Sequence, residues 1–305
     1  MSHQNASVKS IIFALSANFG IAVTKTVAAV ITGSGSMLAE SIHSFADCGN
    51  QLLLFLGLKT SKKQPNDEHP LGYGMSIYFW SFIVALMLFS MGGLFSIYEG
   101  IHKLHTNEPV SNPLVAIIVL SLSMLLEGAS LLGCLKQIKP IRGEQSVWNW
   151  VKNTRQSELV VVLGEDVAAL LGLAFALVFI VLSAVTGNPV YDSIGSIGIG
   201  ALLVVVSLFI ATKVKGLLIG QSSDVTVRQD MKAFLEARPE VDLVFNLITI
   251  QLGNRIMVAV KAKMVEVATP GQMIQNINTC EKALRETFPN IQWIFFEPDV
   301  EDQDD

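Results

Sequence analysis

Charge is scarce in this chain. Lys, Arg, Asp and Glu make up 15% of its 305 residues, against about 25% in an ordinary soluble domain. Hydrophobic residues reach 51% and the mean hydropathy is +0.50, so much of the chain must face lipid. Positive charge is not in excess either. The net charge is -5, which leaves nucleic acid without an electrostatic footprint. Cysteine is sparse: Cys48, Cys134 and Cys280 stand far apart with no CxxC pair. Neither a disulfide framework nor a cysteine zinc site is indicated. Histidine is equally rare. His3, His43, His69, His102 and His105 are the five, and none follows residue 105. The opening MSHQNASVKS has no small-residue cleavage site and no Arg-rich transit character, so the first apolar segment is expected to be retained.

Long apolar segments dominate what is there. Six are readable by hydropathy: about Ile11 to Thr32, Ser36 to Thr60, Ile77 to Ile101, Pro113 to Leu135, Leu159 to Val185 and Val190 to Thr212. Turn signals follow the first, third and fifth, at Thr32–Ser36, Asn107–Pro109 and Thr186–Pro189, and should share one side. Lys9, Lys59, Lys62, Lys63, Lys136, Lys139, Arg142, Lys152, Arg155, Lys213 and Lys215 flank the other ends. The positive-inside rule then puts both termini in the cytoplasm, and a bacterial inner (plasma) membrane is the expected location. Between the fourth and fifth segments, Val147, Trp148, Trp150 and Val151 beside Lys152 and Arg155 suit a short amphipathic helix at the headgroups.

From about Gln221 the composition turns soluble. Asp224 to Arg238 has helical spacing and Pro239 ends it. Val241 to Gln251 and Arg255 to Val267 read as strands joined at Gly253-Asn254. Thr269-Pro270 starts a helix that runs to about Phe288, and Ile291 to Phe296 is a last strand. The fold class is therefore a multi-span α-helical membrane protein of six transmembrane helices with a small C-terminal α+β domain, ferredoxin-like, in the order α-β-β-α-β. The expected domains are residues 1–215 for transport and 216–305 for a cytoplasmic dimerisation domain with an acidic tail.

The second segment carries Glu40, His43 and Asp47 on one helical face. A charged group at the centre of a span costs at least about 2.5–3.5 kcal/mol, so such groups point to function. Imidazole and carboxylate one turn apart make half of a divalent-metal site. A polar face that merely joins helices is the alternative. In the fifth segment Glu165 and Asp166 are adjacent, about 100° apart on a helix. Asp166 reads as a ligand, whereas Glu165 divides evenly between ligand and a hydrogen bond to a neighbouring backbone. Glu127 and Asn18 lie within the fourth and first segments; Glu127 is a further ligand or proton-carrying candidate. Lys25, Glu99 and Asp192, nearer the segment ends, fit snorkelling or capping. Small residues Gly195, Ser196, Gly198 and Gly200 suggest close helix packing.

Ser41-Ile-His43-Ser-Phe-Ala-Asp47, His69-Pro-Leu-Gly-Tyr-Gly74, the Glu165-Asp166 pair and the small C-terminal domain together resemble the cation diffusion facilitator family. The pattern with Gly49-Asn50-Gln51 is most similar to a zinc-transporter branch that includes a mitochondrial member. The resemblance implies a homodimer that exports Zn²⁺ or a similar dication (Mn²⁺, Fe²⁺, Co²⁺) from the cytoplasm in exchange for protons, with no prosthetic group. It also implies a tetrahedral site at the membrane midplane from His43, Asp47 and Asp166. The family's fourth ligand position falls on Val162, so Glu165 or a water would complete the set. In the loop before the third segment, His69 with Asp67 and Glu68 matches a metal-binding loop of some members, but Tyr73 replaces its second histidine. The C-terminal domain has no histidine for the zinc cluster found in others. Two rival classes are a membrane metalloenzyme, which needs an activated water and usually more histidines, and a membrane-anchored metal sensor. Ion flux separates transport from both.

Overall fold

The protein is described here from a computed structural model covering residues 18–106 and 109–301. The start of the first expected span, part of the Asn107–Pro109 turn and the end of the acidic tail lie outside the described residues. The helices are α1 (Asn18–Thr32), α2 (Gly35–Ser61), α3 (Ser76–Thr106), α4 (Pro113–Arg142), α5 (Val147–Asn153), α6 (Ser157–Thr186) and α7 (Val190–Ile219). Four of them, α3, α4, α6 and α7, are both long and apolar enough to cross a membrane. α2 has 27 residues, about 40 Å of helix, but its polar face lowers its hydropathy. α1 is apolar over its described length. Four of the six expected spans thus meet both criteria.

The chain divides into two compact units. The first comprises residues 1–57, 79–147 and 157–214, and the second residues 58–78, 148–156 and 215–305. The loop before α3 and most of α5 therefore group with the C-terminal segment.

Within the first unit, large apolar side chains on α4 point outward, including Leu114, Ile118, Leu122, Leu125 and Leu132. Against lipid such a face needs no burial by protein. α3 and α7 meet through small residues. A Cβ on Gly200 would stand 2.6 Å from the carbonyl oxygen of Gly93, and one on Gly100 2.8 Å from that of Ser193. Gly93 falls in a π-helical turn of α3, Leu88–Leu94. The Ser196 hydroxyl donates to the carbonyl of Ser96 at 2.8 Å. The small residues of the last span do serve close packing.

In the second unit, α8 (Val225–Glu236), β1 (Val241–Leu252), β2 (Arg255–Met264), α9 (Pro270–Thr287) and β3 (Ile291–Pro298) reproduce the expected order. Asp224 caps α8, accepting from Thr226 N, and Thr269 caps α9, accepting from Gln272 N. The sheet order is β1-β2-β3. β1 and β2 are antiparallel across the Gly253-Asn254 turn, and β2 and β3 are parallel, joined through α9. Met231, Leu235, Val258, Val260, Cys280 and Leu284 form the core. The loop motif His69–Gly74 meets the hairpin: a side chain on Gly74 would collide with the carbonyl of Leu252. The Tyr78 hydroxyl accepts from Gly253 N at 3.1 Å.

Two outcomes check this packing. Gly200→Leu is expected to destabilise the protein by about 1–3 kcal/mol or more through overpacking, read as a lower unfolding temperature in detergent. Burial, with Glu240 nearby, pushes the Cys280 thiol above its ordinary value. Its alkylation at pH 8 in the native protein should be about tenfold or more slower than in unfolded chain, as measured by mass spectrometry.

Candidate metal centre

The site is organised along α2. Its residues Ser44, Asp47 and Gln51 follow at spacings of three and four and so share one face. All three line a cavity of about 60 Å³. α6 contributes Val162, Glu165, Asp166 and Ala169 to the same cavity, α4 contributes Glu127 and Ser130, and α1 contributes Asn18 and Ile21. α4 lies directly alongside α6, which is how Glu127 comes to face the acidic pair.

The two adjacent carboxylates of α6 are held differently. Glu165 accepts a 2.7 Å hydrogen bond from the Asn50 amide, all of it buried. Asp166 accepts a 3.1 Å hydrogen bond from the Ser130 hydroxyl through Oδ1. Each therefore keeps one oxygen fixed by a neighbour, α2 for Glu165 and α4 for Asp166. His43 is buried, and its Nδ1 stands 3.5 Å from Asp47 Oδ1. It does not line the cavity.

Buried polar atoms are nearly always hydrogen-bonded. Among the described residues, nine buried side-chain polar atoms have no such partner, and five of them belong to four neighbouring residues. These are both ring nitrogens of His43, Asp47 Oδ1, Asn50 Oδ1 and Asp166 Oδ2. Oxygen and imidazole nitrogen atoms left open together are what a divalent cation would satisfy.

The structure thus brings Asp47, Glu165, Asp166 and Glu127 to one cavity and leaves His43 behind Asp47. No three His, Cys, Asp or Glu among the described residues stand close enough to hold an ion in this conformation. The convergent set of His43, Asp47 and Asp166 is not assembled here. Val162, in the family's fourth position, lines the cavity as an apolar wall. His69, Asp67 and Glu68 belong to the second unit. They are exposed, and the His69 ring stacks on Tyr73 at 4.2 Å.

Four residues depart from, or go beyond, what their positions suggested. Lys25 does not snorkel. It is buried and ion-paired to Glu40 at 3.2 Å, and it donates to the Ser44 hydroxyl at 2.8 Å. Asp192 is a cap, but of another helix: it accepts from Ser34 Oγ and Gly35 N, each at 2.7 Å, and from Ser36 N at 3.3 Å. Asn50 and Ser130, which fix the acidic pair, had no charge to betray them in the sequence. Each is a polar side chain one turn from an acidic one, and Asn50 also falls in the Gly49-Asn50-Gln51 pattern of the family resemblance.

The family model of the cation efflux transmembrane domain matches residues 11–219. The chain belongs to the cation efflux, or cation diffusion facilitator, family. Among the relatives of this cation efflux chain are mitochondrial proton-coupled zinc antiporters. That of Xenopus laevis is 38% identical over 231 residues, 75% of this chain and 41% of that protein. The one of Homo sapiens is 36% identical over 231 residues, again 75% and 41%. A metal tolerance protein of Arabidopsis thaliana is 35% identical over 232 residues, 75% and 50%. The matched region thus spans half or less of these curated relatives.

Because Asn50 orients Glu165, Asn50→Ala is expected to weaken cation binding about 10–100-fold while leaving the helices intact. Calorimetric titration of the purified protein, with circular dichroism as the control, measures both.

Proposed function

We propose that this chain exports Zn²⁺ across the membrane in exchange for protons, by alternating access in a homodimer. The observation that supports it best is the cluster of open buried atoms on His43, Asp47 and Asp166 beside one small cavity. The names of the relatives point to zinc and to proton coupling. In this reading Asp47 and Asp166 hold the cation, Glu165 joins them when Asn50 lets it turn, and His43 enters by a small movement from its place behind Asp47. Glu127 supplies a further carboxylate facing the same space.

Ligands must be deprotonated to bind a metal, so cation and protons compete for one set of groups. That competition is the coupling. Protons arriving from the release side displace the cation, and their loss on the loading side restores the ligands. The Lys and Arg asymmetry supports cytoplasmic termini and hence loading from the cytoplasm. The membrane is a bacterial plasma membrane in this reading, beside the mitochondrial location named for the relatives. Manganese, iron or cobalt is the second reading. It is favoured by the oxygen-rich composition of Asp47, Glu165, Asp166 and Glu127 around apolar Val162.

In proteoliposomes, Asp47→Ala and Asp166→Ala should each abolish Zn²⁺ flux while the protein still folds, and His43→Ala should reduce it about tenfold or more. Wild-type flux from Asp166→Ala would reject the site. Acidifying the loading side should lower flux and acidifying the release side should raise it, as followed with an internal pH dye. The reverse dependence would reject antiport.

A further inference from the structure

Beyond the cavity-lining residues of α1, α2 and α6, the next residues along each helix come into contact. On α1 the residues Asn18, Ile21 and Lys25 share one face; the first two line the cavity and the third is buried. On α2 the stripe Gln51, Asp47, Ser44 and Glu40 does the same: three residues line the cavity and Glu40 is buried. On α6, Val162, Asp166 and Ala169 line it, and one turn on stands Gly172. There the three stripes meet. Lys25 Nζ is 3.2 Å from Glu40 Oε2, with the side chains 1% and 0% exposed. A Cβ on Gly172 would lie 2.6 Å from Glu40 Oε1, so glycine is what lets the carboxylate close over α6. That same Oε1 has no hydrogen-bond partner among the described residues. Beside the pair, Thr26 Oγ1 and Ser41 Oγ are 2.7 Å apart and hold α1 against α2.

From this geometry we infer that Lys25 and Glu40 are positioning residues that seal one end of the cation cavity, and that the pair must part for the cation to leave by that end. The inference rests on the transport reading above. A structural ion pair would satisfy its charges and nothing more. This one is connected to the cavity: Lys25 donates to Ser44, whose side chain is part of the wall one turn from Asp47. Moving Lys25 away from both partners frees Ser44 and leaves the Thr26–Ser41 contact to hold α1 against α2 at that level. An apolar pair of similar volume should pack as well or better than a buried ion pair, but it has no charges through which the seal can be opened.

The test uses full-length protein in membrane vesicles, with Cys48, Cys134 and Cys280 replaced by alanine and Ala169→Cys introduced as a reporter in the cavity. A sulfonated, membrane-impermeant methanethiosulfonate is applied from either face without added metal. With Lys25 and Glu40 intact, modification should be about tenfold or more faster from one face. In Lys25→Ala/Glu40→Ala the two rates should come within about threefold. Equal rates with the pair intact, or an unchanged preference in the double variant, would overturn the inference. A second arm measures Zn²⁺ binding and flux separately. Lys25→Met/Glu40→Met should bind Zn²⁺ normally but lose flux, and the charge exchange Lys25→Glu/Glu40→Lys should restore part of it. Wild-type flux from the methionine pair would also overturn the inference. Wild-type protein that carries no Zn²⁺ at all, yet labels from one face, would sink the transport reading and leave the seal standing.

Discussion

Placing carboxylates among apolar helices is the constraint on which the rest of this structure depends. A charge without a partner in such surroundings is far costlier than one in water. The protein answers each in its own way. Glu40 is matched by Lys25, Glu165 by Asn50, Asp166 by Ser130, and Asp192 by the amides at the start of α2. What is left unanswered is then informative. Five of the nine open atoms among the described residues belong to His43, Asp47, Asn50 and Asp166, and these are the atoms on which the proposed cation site rests.

α2 is the helix through which these arrangements communicate. α7 caps its first residues through Asp192, α1 grips it through Lys25 and Thr26, and α6 meets it through both Gly172 and Glu165. α3 and α7, by contrast, are locked by backbone-to-backbone approach at Gly93, Gly100 and Gly200. Contacts of that kind have little freedom to change gradually, because a small displacement either clashes or opens a gap. Polar contacts along α2 can exchange partners instead. A close-packed α3–α7 pair thus stands beside a helix held by polar side-chain contacts.

Much of the fold was legible because its signals are local. Long apolar runs show spans, Asp224 and Thr269 show helix starts, and Gly253-Asn254 shows a two-residue hairpin. The lining of the cavity was half legible for the same reason: Asp47, Glu165 and Asp166 are conspicuous as acids inside apolar runs. Lys25, near a segment end, reads as snorkelling because the partners that offset its burial, Glu40 and Ser44, lie on another helix. The roles of Asn50 and Ser130 were not legible because an amide and a hydroxyl are commonplace until one sees the carboxylate that each touches.

By itself the sequence determined which segments are apolar, the order of the α-β-β-α-β elements at the C-terminal end and which acidic groups interrupt the apolar runs, since these follow from composition and periodicity along the chain. Only the tertiary structure decided which helices face one another. It thereby decided that Asp47, Glu165, Asp166 and Glu127 share a cavity, that His43 stands behind it, and that Lys25 meets Glu40 at its end. The reason is that pairing across helices depends on their packing and rotation, which small residues such as Gly172 and Gly200 set through contacts distant in the chain.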